Sequence, residues 1–263
     1  MKLRTVSATR YVTPLREGGS LPAIVEADDA GMYVLKFRGA GQGPKVLVAE
    51  IIVGELARAA GLDMPEIVFI ELDADLARTE PDAEIQQLIR DSAGLNLGFD
   101  YLPGSVTFDP VADELDASQA SRIVWLDAFA SNVDRTGRNA NMLMWHGKLW
   151  LIDHGAALYF HHGWAQDPER ADRASSAFPA IKDHILLKFA DALEEADTAM
   201  SALLTPALIR DVVAMVPDSW LTSDRAFASP ALAREAYVQH LTLRLGAPRA
   251  FLEEARRARA ALV

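Results

Sequence analysis

Asn132–Gly155 reads NVDRTGRNANMLMWHGKLWLIDHG, and the fold turns on this stretch. Two apolar runs, Asn141–Trp145 and Lys148–Ile152, are joined through His146-Gly147, a two-residue connection of the hairpin kind. That turn sets Trp145 opposite Lys148 and Asn141 opposite Ile152, so Asn139 and Asp153 emerge side by side at the open end of the hairpin. An amide oxygen and a carboxylate placed together suit a hard, oxygen-seeking ion such as magnesium. Asp134 lies five residues before Asn139, in the connection leaving the preceding helix, and reaches the same point. Asp, Asn and Gly are also ordinary turn formers. The spacing, the hairpin register and an Asp placed directly after the apolar strand LWLI set this stretch apart from a surface loop.

Outward from the hairpin, the chain has two habits. Upstream, Ser118–Ser131 is a helix with Ile123, Val124, Leu126 and Ala130 at helical spacing and Ser118 or Asp116 as its cap. Downstream, helices are expected near 182–200, 206–215, 230–245 and 247–261. The first hundred or so residues instead alternate short extended runs with turns: Arg10–Leu15, Pro22–Ala27, Met32–Phe37 and Ile67–Leu72. One helix, about Lys45–Ala60, is inserted among them and stopped by Gly61, and a short one covers Asp82–Asp91. Tyr101-Leu102-Pro103-Gly104-Ser105 is a hinge-like stretch. The expected fold class is therefore α+β and two-lobed. Residues 1–103 form a β-rich N-terminal lobe with one key helix, and residues 104–263 a mostly helical C-terminal lobe, together one domain.

The chain has 263 residues, half of them hydrophobic, enough for a sizeable core. A formal net charge of −11 argues against nucleic acid as the principal ligand. Cysteine is absent, which excludes disulfides and thiolate metal sites. With no signal peptide at MKLRTVSATRYVTP and no apolar stretch of bilayer length, a cytoplasmic protein without membrane insertion is expected.

Lys36 stands in VLKF between apolar neighbours, where an edge lysine snorkelling to solvent would look the same. Glu50 separates the two readings. Its helical neighbours three and four places away are Val46, Leu47, Val53 and Gly54. A carboxylate on such a strip is costly unless a cation meets it, and Lys36 is the nearest strand-borne cation upstream. Glu55, with Arg58 three residues on, is expected to be an ordinary solvated helix pair. Gly18-Gly19-Ser20, between the first two strands, lets the backbone approach a phosphate. Gly39–Lys45, opening the Glu50 helix, competes for that role, and the sequence leaves the choice open.

The order of VLKF, the AE-x3-GELARAAGL helix, NVDRTGRN and LIDHG resembles the HipA-like kinases, in their short single-domain branch, and more distantly the phosphatidylinositol 3/4-kinases. The similarity covers roughly residues 10 to 190 and is strongest at 132–155. It implies an ATP- and magnesium-dependent phosphotransferase acting on a hydroxyl of a protein or small-molecule acceptor. Lys36 would grip the nucleotide phosphates with Glu50 as its helix partner. Gly18, Gly19, Ser20, Tyr101 and Leu102 would complete the nucleotide site. Asn139 and Asp153 would hold the metal, Asp134 would be the catalytic carboxylate, and Arg138 would neutralise the transferred phosphate. The chain departs from ordinary protein kinases in its Asp-His-Gly triplet and in having no His-Arg before Asp134.

Two other readings compete. One is a nucleotide-binding pseudokinase serving as a regulatory or interaction module; the other is a metal-dependent hydrolase built on Asp134, Asp153 and His154. The hydrolase leaves Lys36 and Glu50 unexplained. His161-His162 in a strand-like stretch point to opposite faces and serve packing or solvation. The C-terminal ARRARA run is a charged helix face.

Overall fold

The computed structural model describes residues 2–15, 21–41, 43–166, 173–222 and 226–262. The chain divides into two compact units, Met1–Val48 with Pro65–Gly104, and Ala49–Met64 with Ser105–Val263. Helix α1 (Pro44–Ala59) carries the chain from the first unit into the second.

In the first unit β1 (Thr5–Pro14), β2 (Ala23–Ala27), β3 (Met32–Lys36), β4 (Ile67–Leu72) and β5 (Gly94–Asp100) close a barrel in the order β1-β2-β3-β5-β4. Its core is set by the period-2 pattern: Tyr33 and Leu35 of β3 are buried, whereas Met32 is exposed and Lys36 half-buried. Val25, Val68 and Ile70 pack with them. Gly98 of β5, opposite Leu35 on one side and Val68 on the other, has no room for a side chain, because a Cβ there runs into the Ile70 side chain. The strand expected at Arg10–Leu15 starts earlier, since Thr5–Ser7 pair in parallel with Phe69–Glu71, a tertiary pairing that local propensity does not reveal. Helix α2 (Ala83–Asp91) is capped by Asp82, whose side chain accepts from the Glu84 N–H.

The second unit is built on α3 (Ala117–Ala130), buried from Ile123 to Ala130. Asp116 caps it by accepting from the Gln119 N–H, and Ser131 ends it in the left-handed region at φ 53°. Trp125 stacks on Phe129 of the next turn, and Phe251 meets both edge-on. The unit also holds a sheet of β6 (Val106–Thr107), β7 (Met142–Trp145) and β8 (Lys148–Leu151), in that order. Helices α4 (Leu193–Leu203), α5 (Pro206–Val213), α6 (Asp218–Leu221), α7 (Pro230–Leu245) and α8 (Ala250–Ala260) follow. No helix among the described residues is long and apolar enough to cross a membrane.

Several expected elements are corrected here. The helix expected near 182–200 is two 3-10 turns, Pro179–Asp183 and Leu187–Phe189, followed by α4. The break lies at His184, which is extended (φ −67°, ψ 128°); its ring is committed to buried Asp127, and its Nδ1 accepts from the Leu186 N–H. His161 and His162 lie in a 3-10 stretch, Tyr159–Gln166, not in a strand. Their rings therefore meet, Nε2 to Nε2 at 3.1 Å, instead of facing apart.

Two buried side chains of α7 shape this unit. Arg244 donates from Nε to the Phe129 carbonyl (2.7 Å) and from Nη2 to that of Ala128 (2.8 Å), satisfying the last turn of α3. Its Nη1 takes the carbonyls of Ala174 (3.1 Å) and Ser176 (2.9 Å). Burial pulls its pKa down to about 10, so it stays cationic at neutral pH. His240 stacks on Phe160 at 3.6 Å. Burial first, then the Arg244 charge, push its pKa from the ordinary 6.5 down to about 3. Below pH 6.5 the unfolded chain takes up a proton that the native imidazole refuses until about pH 3, so acidification destabilises the fold. We expect His240→Phe to flatten the pH dependence of urea unfolding between pH ~6 and ~4, removing up to about 1.4 kcal/mol per pH unit. An identical acid slope in both proteins would show that His240 is not responsible.

Candidate active site

The residues that gather polar chemistry lie in the second unit, on the loop leaving α3 and the open end of the β7–β8 hairpin. The hairpin register pairs Met142 with Leu151 and Trp145 with Lys148. Its turn places both His146 (φ 49°) and Gly147 (φ 73°) in the left-handed region. One further rung forms, Ile152 N–H donating to the Asn141 carbonyl at 3.1 Å. Beyond it the backbone is unusual on both sides: Asn141 and Asp153 have φ of 49° and 54°. Asn and Asp tolerate this conformation better than other non-glycine residues, and such outliers concentrate at functional sites.

The loop from Asn132 to Asn141 folds back on itself. The Thr136 N–H donates to the Asn139 carbonyl (2.9 Å) and the Asn139 N–H to the Thr136 carbonyl (3.1 Å), closing a tight turn. That closure converts a spacing of five residues into side-chain contact. Asp134 Oδ2 accepts from Asn139 Nδ2 at 2.7 Å and from Asn141 Nδ2 at 3.1 Å. With its NH2 group on Asp134, exposed Asn139 could offer its amide oxygen, and half-exposed Asp153 its carboxylate, to a hard cation. Arg138 is exposed, its N–H directed at Thr136 Oγ1 (3.4 Å).

Beneath the loop runs a buried polar network. Arg135 Nε donates to Asp127 Oδ2 at 2.6 Å, both side chains all but sealed from solvent. Its Nη1 reaches the carbonyls of Asn141 and Ile152, and its Nη2 lies 3.1 Å from His154 Nε2. Arginine only donates, so His154 Nε2 accepts and its proton sits on Nδ1, 4.0 Å from Glu50 Oε2. The same Glu50 oxygen accepts the His154 N–H at 2.9 Å. Burial pushes the Asp127 carboxyl up, but the Arg135 charge and the His184 hydrogen bond outweigh it and hold the group well below the usual carboxylate range.

Glu50 is fully buried, within an unbroken buried run from Leu47 to Ala57. That run corrects the expectation for Glu55, which is paired with Arg58 at 2.9 Å but only 3% exposed rather than solvated. Lys36 lies in the first unit at the end of β3, its Nζ 5.5 Å from the Phe99 ring centroid. Tyr101 donates its N–H to the Met32 carbonyl at 3.0 Å, and Leu102 is buried. Gly18, Gly19 and Ser20 lie outside the described residues. His154 is sealed from solvent and its Nε2 accepts from Arg135, which speaks against the hydrolase reading, since that needs a ring nitrogen open to a metal.

Sequence reasoning missed Asp127, Arg135, Asn132, Asn141 and His184. For Asp127 a signal exists: it interrupts the apolar run IVWLDAFA, the same anomaly that singles out Glu50. Arg135 and His184 carry no comparable mark.

The model of the HipA-like kinase family matches residues 9–252. The chain belongs to the HipA-like kinase family. It is thus a kinase, a phosphotransferase of kinase-like α+β fold. The fold is shared with the crystal structure of the Helicobacter pylori proinflammatory kinase CtkA, at TM-score 0.57 and 12% identity, covering 98% of this chain and 99% of that one. Two crystal structures of the Golgi casein kinase also align. One has TM-score 0.44, 13% identity and coverage of 95% and 75%; the other, with Mn/ADP bound, has 0.43, 12%, 95% and 74%. Among curated proteins none matches the sequence of this HipA-like kinase.

Proposed function

We propose that this HipA-like kinase transfers the γ-phosphate of magnesium-bound ATP to a hydroxyl of a protein or small-molecule acceptor. The observation that carries the proposal is the Asp134 carboxylate, held by two asparagine amides at the end of a hairpin that continues into Asp153. The donors there are all oxygens, which fits a small hard cation. Asn139 and Asp153 would hold the magnesium, and Lys36, paired with Glu50, would grip the phosphates. Magnesium supplies charge neutralisation on the phosphate oxygens. Asp134 orients the acceptor hydroxyl and receives its proton as the oxygen bonds to phosphorus and the bond to ADP breaks. Arg138, exposed four residues after Asp134, is in reach of solvent-borne phosphate oxygens and would neutralise the transferred group. Gly18, Gly19 and Ser20, or the competing Gly39–Lys45 stretch, would cradle the phosphates, and Tyr101 and Leu102 would complete the nucleotide site of a two-lobed kinase.

The test begins with thermal unfolding in ATP and magnesium. A ligand at a hundredfold excess over its Kd stabilises by about 2.7 kcal/mol, a rise of several degrees in Tm. Phosphate transfer or ATP hydrolysis is then followed with γ-labelled ATP. The absence of a magnesium-dependent shift sinks the nucleotide site. A shift without turnover makes the protein a pseudokinase.

A further inference from the structure

Asp127 lies on α3, seven residues before Asp134, and is sealed from solvent. Its Oδ1 accepts from Asn132 Nδ2 at 2.9 Å, and its Oδ2 from Arg135 Nε at 2.6 Å and His184 Nε2 at 2.9 Å. The His184 tautomer follows from its other nitrogen: Nδ1 accepts the Leu186 N–H at 3.0 Å, so the proton is on Nε2. Each of these three groups presents a donor to the carboxylate.

What those donors are attached to gives the carboxylate its importance. Asn132 Oδ1 accepts the backbone N–H of Asp134 itself, at 3.1 Å. Arg135 is the residue after Asp134. Its guanidinium takes the Asn141 and Ile152 carbonyls and His154 Nε2, which brackets Asp153 from the residues on either side. The Arg135 carbonyl in turn accepts the Ile185 N–H at 3.2 Å, binding the His184 segment to the same loop. We propose that Asp127 is a positioning residue for phosphate transfer: one buried carboxylate fixes the loop carrying Asp134 and, through Arg135, the strand end carrying Asp153. This rests on the phosphotransferase reading above.

Asp127→Asn is the sharp test because it preserves shape and removes one acceptor. Its single oxygen faces three donors, so its NH2 group opposes either Asn132 or the Arg135–His184 pair. We expect kcat to fall about a hundredfold, the loss that accompanies displacement of a reacting group by an ångström, while the KM for ATP–magnesium changes by less than about tenfold. The companion change Asn132→Asp returns an acceptor to that contact, and the double variant is expected to recover at least about tenfold of the lost kcat. Arg135→Lys provides a second route should Asp127→Asn not fold. It keeps the charge beside Asp127 but lacks the fork that reaches Asn141, Ile152 and His154, so the same loss of kcat is expected. Rates are measured well below each variant's Tm and divided by the folded fraction. A lowered Tm with unchanged kcat per folded molecule, in either single variant, makes the cluster merely structural and overturns the proposal. Loss of transfer in Asp134→Asn alongside normal kcat in both of these variants refutes this inference and leaves the phosphotransferase reading standing. Retained activity in Asp134→Asn removes that reading first.

Discussion

Asp134→Asn is expected to bind ATP with magnesium much as the unaltered protein does and to lose phosphate transfer by about a hundredfold or more. The local geometry makes this an unusually clean substitution. Both amides that touch the side chain, those of Asn139 and Asn141, donate to a single oxygen, Oδ2. An asparagine at this position keeps an oxygen there and turns its NH2 group to the place of Oδ1. The loop therefore keeps its hydrogen bonds, and what disappears is a negative charge and a proton acceptor. Asp153→Ala acts on the other partner of the site. It removes a carboxylate rather than neutralising one, so magnesium-dependent nucleotide affinity should fall together with transfer. Calorimetric titration with ATP and magnesium, run beside transfer of labelled γ-phosphate, reads both quantities. Equal weakening of binding in the two variants would merge the roles assigned to them, and full activity in Asp134→Asn would exclude that residue from the reaction.

The largest effect on stability is expected from Arg135→Met. The substitution leaves Asp127 inside the protein without its cation, and takes the guanidinium donor from the Asn141 and Ile152 carbonyls. Breaking a buried pair in this way costs about 3–5 kcal/mol. Urea unfolding of both proteins at pH 7 measures the difference, and a loss below about 1 kcal/mol would show that His184 and Asn132 suffice to hold the carboxylate. The pH dependence has a definite sign. Asp127 has its pKa lowered in the folded state from the ordinary 3.8, so its contribution is present above that value and is lost as pH falls through the folded pKa. In Arg135→Met the carboxyl loses the charge that depresses it and protonates at higher pH. The stability gap between the two proteins is therefore expected to narrow below pH ~4.

The parts of this architecture that are legible in sequence are those governed by local pattern. The β7–β8 register follows from two apolar runs and a His-Gly turn, and it places Asn141 against Ile152. Glu50 stands out because a carboxylate on an apolar helix face demands an explanation, and it is fully buried. The same rule applied to Asp127 would have found the hub of the second unit. Arg135 is a different matter. An arginine beside an aspartate in a polar loop has the composition of a solvated turn, and only the fold draws its side chain inward to Asp127. His184 is hidden for the converse reason. It sits in a stretch whose apolar spacing fits a helix, and a hydrogen bond to a residue 57 positions earlier breaks that helix. Interactions set by closure over long sequence separations leave no periodic trace.

The Arg244 contacts bear on the order in which this protein becomes itself during synthesis. The side chain that satisfies the last carbonyls of α3 lies 115 residues downstream of Phe129. A nascent chain that has already displayed Asn132–Gly155 still has an open helix end, the Phe129 carbonyl without its Arg244 donor, until α7 has been made. Local elements form early, but a contact of such separation must wait for translation. The helix end from which the loop bearing Asp134 departs is thus made well before the side chain that closes it.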